Sequence, residues 1–460
     1  MKIYTKIIAF LTSILLLVSG VQQSVIGFTT GDAITAQRHS YCFDNDKLLI
    51  GAYYADPNKI ELASEAGIEF FIDSSVTKEL LDECQKYSIG VIAGGYNLGR
   101  DYGTATDATI SQWVNYDVKN YKNHPALWGD DLIDEPGAKS YDALAKAVNA
   151  YAGYNPDKLA LINLFPIYAS EEQLECPSKQ NLIQQALLHC TASGGKAVDS
   201  YKQYVSEYIN KIDTDYICVD IYPMHARLDK KGNTEKYTSG NWLNNLDILA
   251  EACRKTNRDL WVITQAAGQT KDGSGTESPR YCVNDEDISQ QAYASLAFGA
   301  KAIIHAEFAA KGWWQSDSHM IDKDGNPTAT YYAVKNVDSY LAKFAKEYGK
   351  YDYVSTYLLN TCRVAGYKMG LLANQNIDEM GNVKSLNGLA VGTFKSDEGK
   401  AYVVANMEEL NNSVTATAVF ESEKGQTVTV WQKNDCTVYA GGKDIKLTLE
   451  PGEGVYITVK

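Results

Sequence analysis

Short apolar runs alternate with amphipathic segments over residues 48–348 of this 460-residue chain. The amphipathic segments, such as TKELLDECQK and YDALAKAVNAY, carry apolar residues at helical spacing. Strands that alternate with helices indicate parallel βαβ units, because the crossover between parallel strands has room for a helix. Eight such units are present, with predicted strands at 48–54, 67–73, 89–94, 127–134, 158–165, 216–222, 260–265 and 301–308.

Eight units favour an α/β fold, a closed TIM (β/α)8 barrel, which we place at residues 40–348. A doubly wound open sheet is the alternative. It is disfavoured because no glycine-rich phosphate-binding turn follows the first strand. The segment GGYNLG after the third strand has neither the spacing nor the position of such a turn.

Beyond about residue 352 the pattern changes to short alternating segments such as GKAYVVANM, SVTATAVF and GVYITV, separated by Gly, Asn and Asp turns. This period-two alternation predicts a small all-β sandwich domain over residues 352–460. No low-complexity linker separates it from the barrel. We therefore expect the sandwich to pack against the barrel rather than swing on a tether.

The first residues combine Lys2 and Lys6 with an apolar run from Ile7 and small residues at Ser19 and Gly20. This arrangement is typical of a secretory signal peptide. A membrane anchor is the alternative, but the run is shorter than the roughly 18–20 apolar residues that a spanning helix needs. We predict that residues 1–28 are a signal peptide and a disordered N-terminus, and that the protein is secreted and extracellular, without membrane insertion.

Composition narrows the choice of partner. The chain has 57 acidic and 43 basic residues, which gives a formal charge of −14. Of the charged residues, cleavage of the signal peptide would remove only lysines. An acidic surface repels phosphate backbones, so nucleic acid is a poor partner, whereas a neutral carbohydrate is compatible with this charge. The 32 Tyr and 7 Trp suit stacking on sugars, and they equally suit a packed core.

Nine cysteines follow the signal, and an odd number leaves at least one thiol unpaired. Cys84, Cys218 and Cys253 lie in predicted core elements, which favours buried thiols. Cys176 and Cys190 flank one loop segment and could form a disulfide. No Cys or His spacing typical of zinc is present, so we predict no metal site and no cofactor.

Ligands of this fold bind where the strands end, at the C-terminal face of the barrel. The fourth predicted strand ends in WGDDLIDEPG. Side-chain alternation would place Asp131 and Glu135 on one face and Asp130 and Asp134 on the other. A carboxyl at Glu135, just before Pro136, would stand at the barrel mouth. The alternative role for Glu135 is to cap the following helix.

The segment HPALWGDDLIDEPG resembles the fourth strand of clan A glycoside hydrolases, in which an Asn-Glu-Pro or Asp-Glu-Pro triplet carries the acid/base glutamate. DYICVDIYP resembles their sixth strand, and the stretch from SLAFGAKAII to IDKDGNPTATYYAVKNV resembles their eighth strand and closing helix. The resemblance covers roughly residues 48–345, and the sandwich resembles their accessory domains. It implies a hydrolase of poly- or oligosaccharides with Glu135 as general acid/base and Asp134 as a ligand of a sugar hydroxyl.

One departure from this family affects the mechanism. The family carries a nucleophilic Glu at the end of the seventh strand, where LWVITQAAG has Gln265. An amide cannot act as that nucleophile. A second carboxylate elsewhere, a different mechanism, or a catalytically impaired carbohydrate-binding protein on a glycosidase scaffold would each account for the departure. Beside a hydrolase and a carbohydrate-binding protein, a third hypothesis is a structural surface protein in which the barrel only displays the sandwich domain.

Two carboxylates are candidates for the missing partner. In KAIIHAEFA we expect the alternate apolar residues to face the helices, so that His305 and Glu307 point inward. Asp220 lies near the end of the sixth strand, on the same face as Tyr222. Glu307 faces the fourth strand across the barrel and would suit the wider, inverting separation, whereas Asp220 is nearer. Each could instead be a structural polar residue.

The remaining candidates are substrate-binding side chains at strand ends and in the adjoining loops. Aromatic rings there could stack on sugar faces, and amides could bind hydroxyl groups. This predicted set comprises Tyr53, Tyr96, Asn163, Tyr222, Gln265, Trp313 and Trp314.

Overall fold

The computed structural model describes residues 33–36, 38–94, 100–119, 121–177, 195–228, 234–239, 241–268, 281–310, 318–360 and 382–460. Eight parallel strands close into a barrel, and a two-stranded hairpin is inserted after the sixth strand. The strands of the hairpin are β7 and β8. In chain order these ten strands are β1 (Leu49–Tyr53), β2 (Phe70–Asp73), β3 (Gly90–Gly94), β4 (Leu127–Asp134), β5 (Leu159–Leu164), β6 (Tyr216–Ile221), β7 (Met224–Leu228), β8 (Thr234–Thr238), β9 (Asp259–Gln265) and β10 (Ala300–Ala306).

Each barrel strand pairs with the next barrel strand along the chain, and β10 pairs with β1 to close the circle. The predicted fold class is therefore confirmed. The described helices are α1 (Ile60–Glu65), α2 (Lys78–Lys86), α3 (Asp107–Lys119), α4 (Tyr141–Tyr154), α5 (Glu171–Leu174), α6 (Gly195–Lys211), α7 (Trp242–Thr256), α8 (Asp285–Ala297), α9 (Ala329–Leu341) and α10 (Ala345–Gly349).

Local sequence explains where several helices begin. Asn284 caps α8, and its side chain and that of Asp287 each accept a hydrogen bond from the other's main-chain N–H. Thr77 accepts a hydrogen bond from the main chain of Leu80 and starts α2 in the same way. The apolar faces of these helices cover the outer face of the barrel in one continuous core.

Aromatic rings from the N-terminal segment fill the lower end of the barrel, where the strands begin. Phe43 stacks on Trp128 with ring centroids 4.4 Å apart, and Tyr41 stacks on Phe43 at 5.2 Å. Just before them, Arg38 forms an ion pair with Asp259. This end is therefore occupied by protein side chains, and the candidate site lies at the opposite end.

Two predictions about strand faces are wrong. The register of β4 shifts between Asp131 and Ile133, so the period of two is broken and Asp131 and Asp134 both turn towards the barrel axis, close to Tyr53 and Cys218. In β10 the inward residues are the small and apolar ones, and His305 points outward. These inward residues are Ala302, Ile304 and Ala306.

The C-terminal domain consists of two antiparallel sheets with an apolar core between them. A six-stranded sheet has the order β11-β13-β14-β19-β16-β17, and a three-stranded sheet has the order β12-β15-β18. The strands are β11 (Asp352–Leu359), β12 (Val383–Ser385), β13 (Leu389–Ser396), β14 (Gly399–Asn406), β15 (Ala416–Phe420), β16 (Thr427–Gln432), β17 (Asp435–Ala440), β18 (Ile445–Leu449) and β19 (Gly454–Val459).

The sandwich packs directly on the barrel, as expected from the missing linker. Phe344 stacks on Tyr456 with ring centroids 5.0 Å apart, and Tyr348 meets Phe394 edge to face at 5.3 Å. Thr356 also donates a hydrogen bond to the main-chain oxygen of Ala297 at 2.7 Å. These contacts join the barrel helices and the outer face of the six-stranded sheet in one apolar core.

The thiols of Cys84, Cys218 and Cys253 are buried and reduced, as predicted. Cys190 lies outside the described residues, so its disulfide with Cys176 stays a prediction. Among the helices that the structure describes, none has both the length and the apolar composition to cross a bilayer.

Candidate functional site

Asn163 joins two carboxylates at the C-terminal ends of adjacent barrel strands. Its Nδ2 on β5 donates to Oδ1 of Asp134 on β4 and to Oδ1 of Asp220 on β6, each at 2.9 Å. A planar amide directs its two hydrogens about 120° apart, which places the two carboxylate oxygens roughly 5 Å from each other. Three strands thus fix one pair of carboxylates at the mouth.

The two members of this pair have different surroundings. Asp220 and Asn163 are buried, whereas Asp134 is exposed to solvent at the end of its strand. Protein atoms nevertheless surround Asp134 on its other sides. This loss of hydration raises the pKa of the Asp134 carboxyl, and the hydrogen bond from Asn163 acts in the opposite direction.

A third carboxyl, Asp131, lies within the barrel next to Asp134. It is fully buried, and neither of its oxygens makes a well-formed hydrogen bond with the described residues. Burial, followed by the charges of Asp134 and Asp130, raises its pKa well above the usual range, while the nearby main-chain N–H of Ile133 lowers it in part. The Asp131 carboxyl is therefore harder to ionise than that of an exposed aspartate.

Glu135 follows directly and lies in the turn after β4. Its backbone is left-handed, with φ 48°, and its N–H donates to the main-chain oxygen of Asn163 at 2.8 Å. The side chain is half-buried and within electrostatic reach of the Tyr204 phenol. Tyr204 in turn donates to the oxygen of Pro136 at 2.7 Å, so the turn is held against α6. Left-handed residues other than glycine are uncommon and concentrate at functional sites.

Glu307 also lies at the mouth, directly after β10, but the segment that contains His319 and Met320 covers it. Its exposed fraction is 2%, and its Oε2 is 3.3 Å from Nε2 of His319. The N–H of Met320 donates to the main-chain oxygen of Glu307 at 3.2 Å and holds this segment in place. A substrate could reach the Glu307 carboxyl only after residues near His319 move.

Tyr222 is a buried aromatic residue at the same end of the barrel as these carboxylates. Burial raises its pKa well above the usual range, and the charges of Asp220, Asp134 and Glu307 add to the effect, so its phenol lies within electrostatic reach of all three. Tyr53 on β1 is close to Asp131 and Asp134 from the other side. Both predicted rings therefore line the same end of the barrel.

Gln265 does not present its amide to the mouth. The residue has no exposed surface, its Oε1 accepts from the N–H of Met224 at 3.1 Å, and its Nε2 donates to the oxygen of Ala267 at 3.1 Å. In this conformation the side chain joins the start of β7 to the segment after β9. A sugar would contact it only after those segments move. The other predicted stacking residues, Tyr96, Trp313 and Trp314, lie outside the described residues.

The structure thus brings together Asp134, Asn163, Asp220, Tyr53 and Tyr222. Sequence reasoning missed that Asp134 shares the inward face with Asp131, and it missed the partner of Glu307, which is His319. The density of acidic residues in DDLIDE was a usable signal for Asp131, because carboxylates are rare on barrel-lining faces unless they serve a purpose.

Comparison with known proteins supports the architecture. No family model matches the chain, and no curated protein does. A solved structure described as a glycoside hydrolase is 9% identical, with 94% of this chain and 97% of that chain covered and a TM-score of 0.53. A glycoside hydrolase family 5 structure from Bacteroides vulgatus is 10% identical, with 94% of each chain covered and a TM-score of 0.52. At these identities the likeness concerns the fold: the chain shares, over nearly its whole length, the fold of these two glycoside hydrolases.

Proposed function

We propose that the protein is a secreted glycoside hydrolase that cleaves a poly- or oligosaccharide at the mouth of the barrel. The observation that carries this proposal is the pair Asp134 and Asp220, held roughly 5 Å apart by Asn163. The bridge fixes Asp220 beside Asp134, and the chain neighbour of Asp134 is Glu135, which offers a further carboxyl at the same end of β4. The fold shared with proteins named glycoside hydrolases agrees with this activity.

Within this proposal Glu135 is the general acid/base, as the Asp-Glu-Pro triplet implies. It protonates the glycosidic oxygen as the bond to the anomeric carbon breaks, and it then removes a proton from the attacking water. Asp220 is the second carboxylate, which attacks or stabilises the anomeric carbon. Asp134, solvent-accessible and next to both, binds a sugar hydroxyl.

Glu307 is the rival for the role of Asp220. Its carboxyl is buried against His319, whereas the carboxyl of Asp220 belongs to the bridged pair that includes the exposed Asp134. Both carboxylates are largely covered, with exposed fractions of 8% for Asp220 and 2% for Glu307, but Asp220 adjoins the exposed Asp134, whereas Glu307 lies against His319. The proposal therefore gives Glu307 a positioning role through His319 and Tyr222.

The test is release of reducing ends from a panel of polysaccharides by the full chain and by matched amide variants. Loss of a general acid typically costs ~10²–10⁴-fold, and we expect that loss for Glu135→Gln on natural glycosides. On an aryl glycoside with a good leaving group the loss should be much smaller, because departure no longer needs a proton. Asp220→Asn should be inactive on both substrates, and Glu61→Gln, on the surface of α1, is the control. Full activity in Glu135→Gln on a natural glycoside would contradict its assignment.

A second candidate function is carbohydrate binding without hydrolysis. Gln265 favours it, because the position that resembles the nucleophile carries an amide that is buried and bonded to the main chain. Saturable binding of an oligosaccharide, detected by calorimetry, with no products after prolonged incubation would support this function and contradict hydrolysis.

A further inference from the structure

A cavity of about 330 Å³ lies at the other end of the barrel from the carboxylates, between the barrel floor and the sandwich. Its walls come from the end of α7, the starts of β9 and β10, the start of β11 and the end of β13. We call it the junction cavity. The length of β9 separates it from the mouth by roughly 20 Å, so it is independent of the proposed sugar site.

The charge of the junction cavity is opposite to that of the chain. Five basic residues line it and only two acidic ones, Asp259 and Asp352, although acidic residues outnumber basic ones by 57 to 43 in the sequence. The basic residues are Arg38, Arg254, Arg258, Lys301 and Lys395. Arg38 is paired with Asp259 and Arg254 with Glu251, whereas Arg258, Lys301 and Lys395 have no ion pair with a carboxylate among the described residues, so the cavity keeps an excess of positive charge that would attract an anion.

Arg258 supplies the unused hydrogen-bonding capacity. Its exposed fraction is 4%, and its Nε and Nη2 donate to the oxygens of Thr214 and Ile212, each at 2.8 Å. The remaining nitrogen, Nη1, is buried and has no hydrogen-bond partner among the described residues. Nη1 has no accessible surface, so the guanidinium acts on the cavity through its positive charge, and an anionic oxygen would reach Nη1 only after a movement of the side chain.

Lys301 adds a second, partly buried charge. It is bonded to main-chain oxygens, including that of Tyr351 at 2.9 Å, and no carboxylate forms an ion pair with it among the described residues. Arg38 is close enough for its like charge to act on Lys301, although Arg38 also pairs with Asp259. Arg254 on the barrel and Lys395 on the sandwich are exposed at the rim.

We propose that the junction cavity binds a small molecule with at least two anionic groups, each a carboxylate, sulfate or phosphate. Its volume is at the lower end of the range for small-molecule sites, ~300–1,000 Å³, and exceeds the space that one oxyanion fills. One anionic group would face Arg258 and Lys301, and another would face Arg254 and Lys395. Because the rim cations belong to both domains, the ligand would bind the barrel and the sandwich together and stabilise the chain against unfolding.

The experiment is calorimetric titration of the full chain with citrate, pyrophosphate and sulfate, each against chloride at equal ionic strength, together with thermal unfolding. We expect saturable one-to-one binding and a higher Tm with citrate or pyrophosphate, and weaker binding of sulfate. The comparison of citrate with pyrophosphate distinguishes a carboxylate ligand from a phosphate ligand.

The diagnostic variant is Arg254→Ala with Lys395→Ala, which removes two exposed rim charges. We expect it to weaken binding at least tenfold. The matched control is Lys384→Ala with Lys446→Ala, two exposed lysines that flank Val419 on the three-stranded sheet, and it should change the affinity less than twofold. Arg258→Met, checked for folding by circular dichroism, should also abolish binding.

No saturable binding of any of the three anions up to ~10 mM would overturn the proposal. Equal weakening by the rim variant and by its control would also overturn it, because binding would then follow net charge alone. Asp220→Asn should leave anion binding intact, so failure of the proposed hydrolase activity and failure of this site are separate outcomes.

Discussion

His305 on β10 and Asp338 on α9 form a fully buried pair, with His305 Nε2 3.0 Å from Asp338 Oδ2. The pair joins the outer face of β10 to α9, the closing helix of the barrel. Glu307 follows the end of the same strand. Burial raises the pKa of the Asp338 carboxyl, and His305 lowers it in part. The pair therefore has a role in stability rather than in the mouth chemistry.

Removal of one member of this pair should destabilise the protein strongly. His305→Phe leaves Asp338 buried without its partner, and such a loss typically costs ~3–5 kcal/mol. The free energy of urea unfolding measures the effect. In the double variant with Asp338→Leu, much of that loss should be regained, since no buried charge remains. If the loss of stability in the double variant equals the sum of the losses in the two single variants, a direct interaction between His305 and Asp338 is contradicted.

The aromatic plug of the barrel floor gives a second prediction. Phe43 is buried and stacks on Trp128, so Phe43→Ala should leave a cavity and cost ~3–5 kcal/mol of unfolding free energy. Tyr41→Ala is the control within the same segment, because Tyr41 is only partly buried and should cost less. Equal losses in the two variants would show that the depth of burial does not determine the effect.

Two glycines test the contact between the domains. A Cβ on Gly392 would lie 2.1 Å from the main-chain oxygen of Ala297, whereas a Cβ on Gly153 has no neighbour within 4 Å. Gly392→Ala should therefore push β13 away from α8 and lower the Tm. Gly153→Ala, near the end of α4, should raise stability by ~0.5–1 kcal/mol, because it removes the entropic cost of a helical glycine. An unchanged Tm in Gly392→Ala would mean that the two domains are not in close contact there.

The sequence was sufficient for the barrel because each strand and helix has a period that is visible locally. It was insufficient for the direction of individual side chains. In β10 both faces are buried, so Ala302 and His305 could not be assigned to the inside or the outside from hydrophobicity alone. In β4 the irregularity after Asp131 depends on pairing with β5, which is not contiguous with it in sequence.

The candidate site was partly predictable for the same reason. Asp220 and Tyr222 keep the regular alternation of β6, and both lie at the mouth as expected. The bridge through Asn163 and the pairing of Glu307 with His319 are contacts between distant segments, which no local pattern encodes. The left-handed backbone of Glu135 is likewise set by its hydrogen bond to β5.

Asp131 makes stability depend on pH. Its pKa is raised in the folded protein, so below the pKa of the unfolded chain, about 3.9, the group is protonated in both states. As the pH rises further, the unfolded chain releases this proton while the folded protein keeps it, so stability falls until the folded pKa is reached.

Asp131→Asn should therefore gain stability over the wild type as the pH rises from 4 to 8, since an amide cannot ionise. Urea unfolding at both pH values measures this difference. Asp435→Asn, at an exposed position on β17, is the control and should show no such trend. A constant difference between Asp131→Asn and the wild type across this range would contradict a raised pKa.

Asn163→Leu tests whether the amide bridge organises the mouth. Leucine has a similar volume but cannot donate, so Asp134 and Asp220 would lose their shared partner. Because that hydrogen bond lowers the pKa of Asp134, its loss should raise the pKa further, and the ionisation of Asp134 should move to higher pH. If the protein is a hydrolase, misplacement of the pair should reduce kcat by about 10²-fold, with a smaller change in KM.

Carbon-detected NMR titration of the Asp134 carboxyl and a pH–rate profile measure the two effects. Asp134→Asn identifies the resonance of the Asp134 carboxyl, because only the titration of that group is removed. An Asn163→Leu protein that folds normally, retains its full kcat and shows an unchanged Asp134 titration would contradict the bridge.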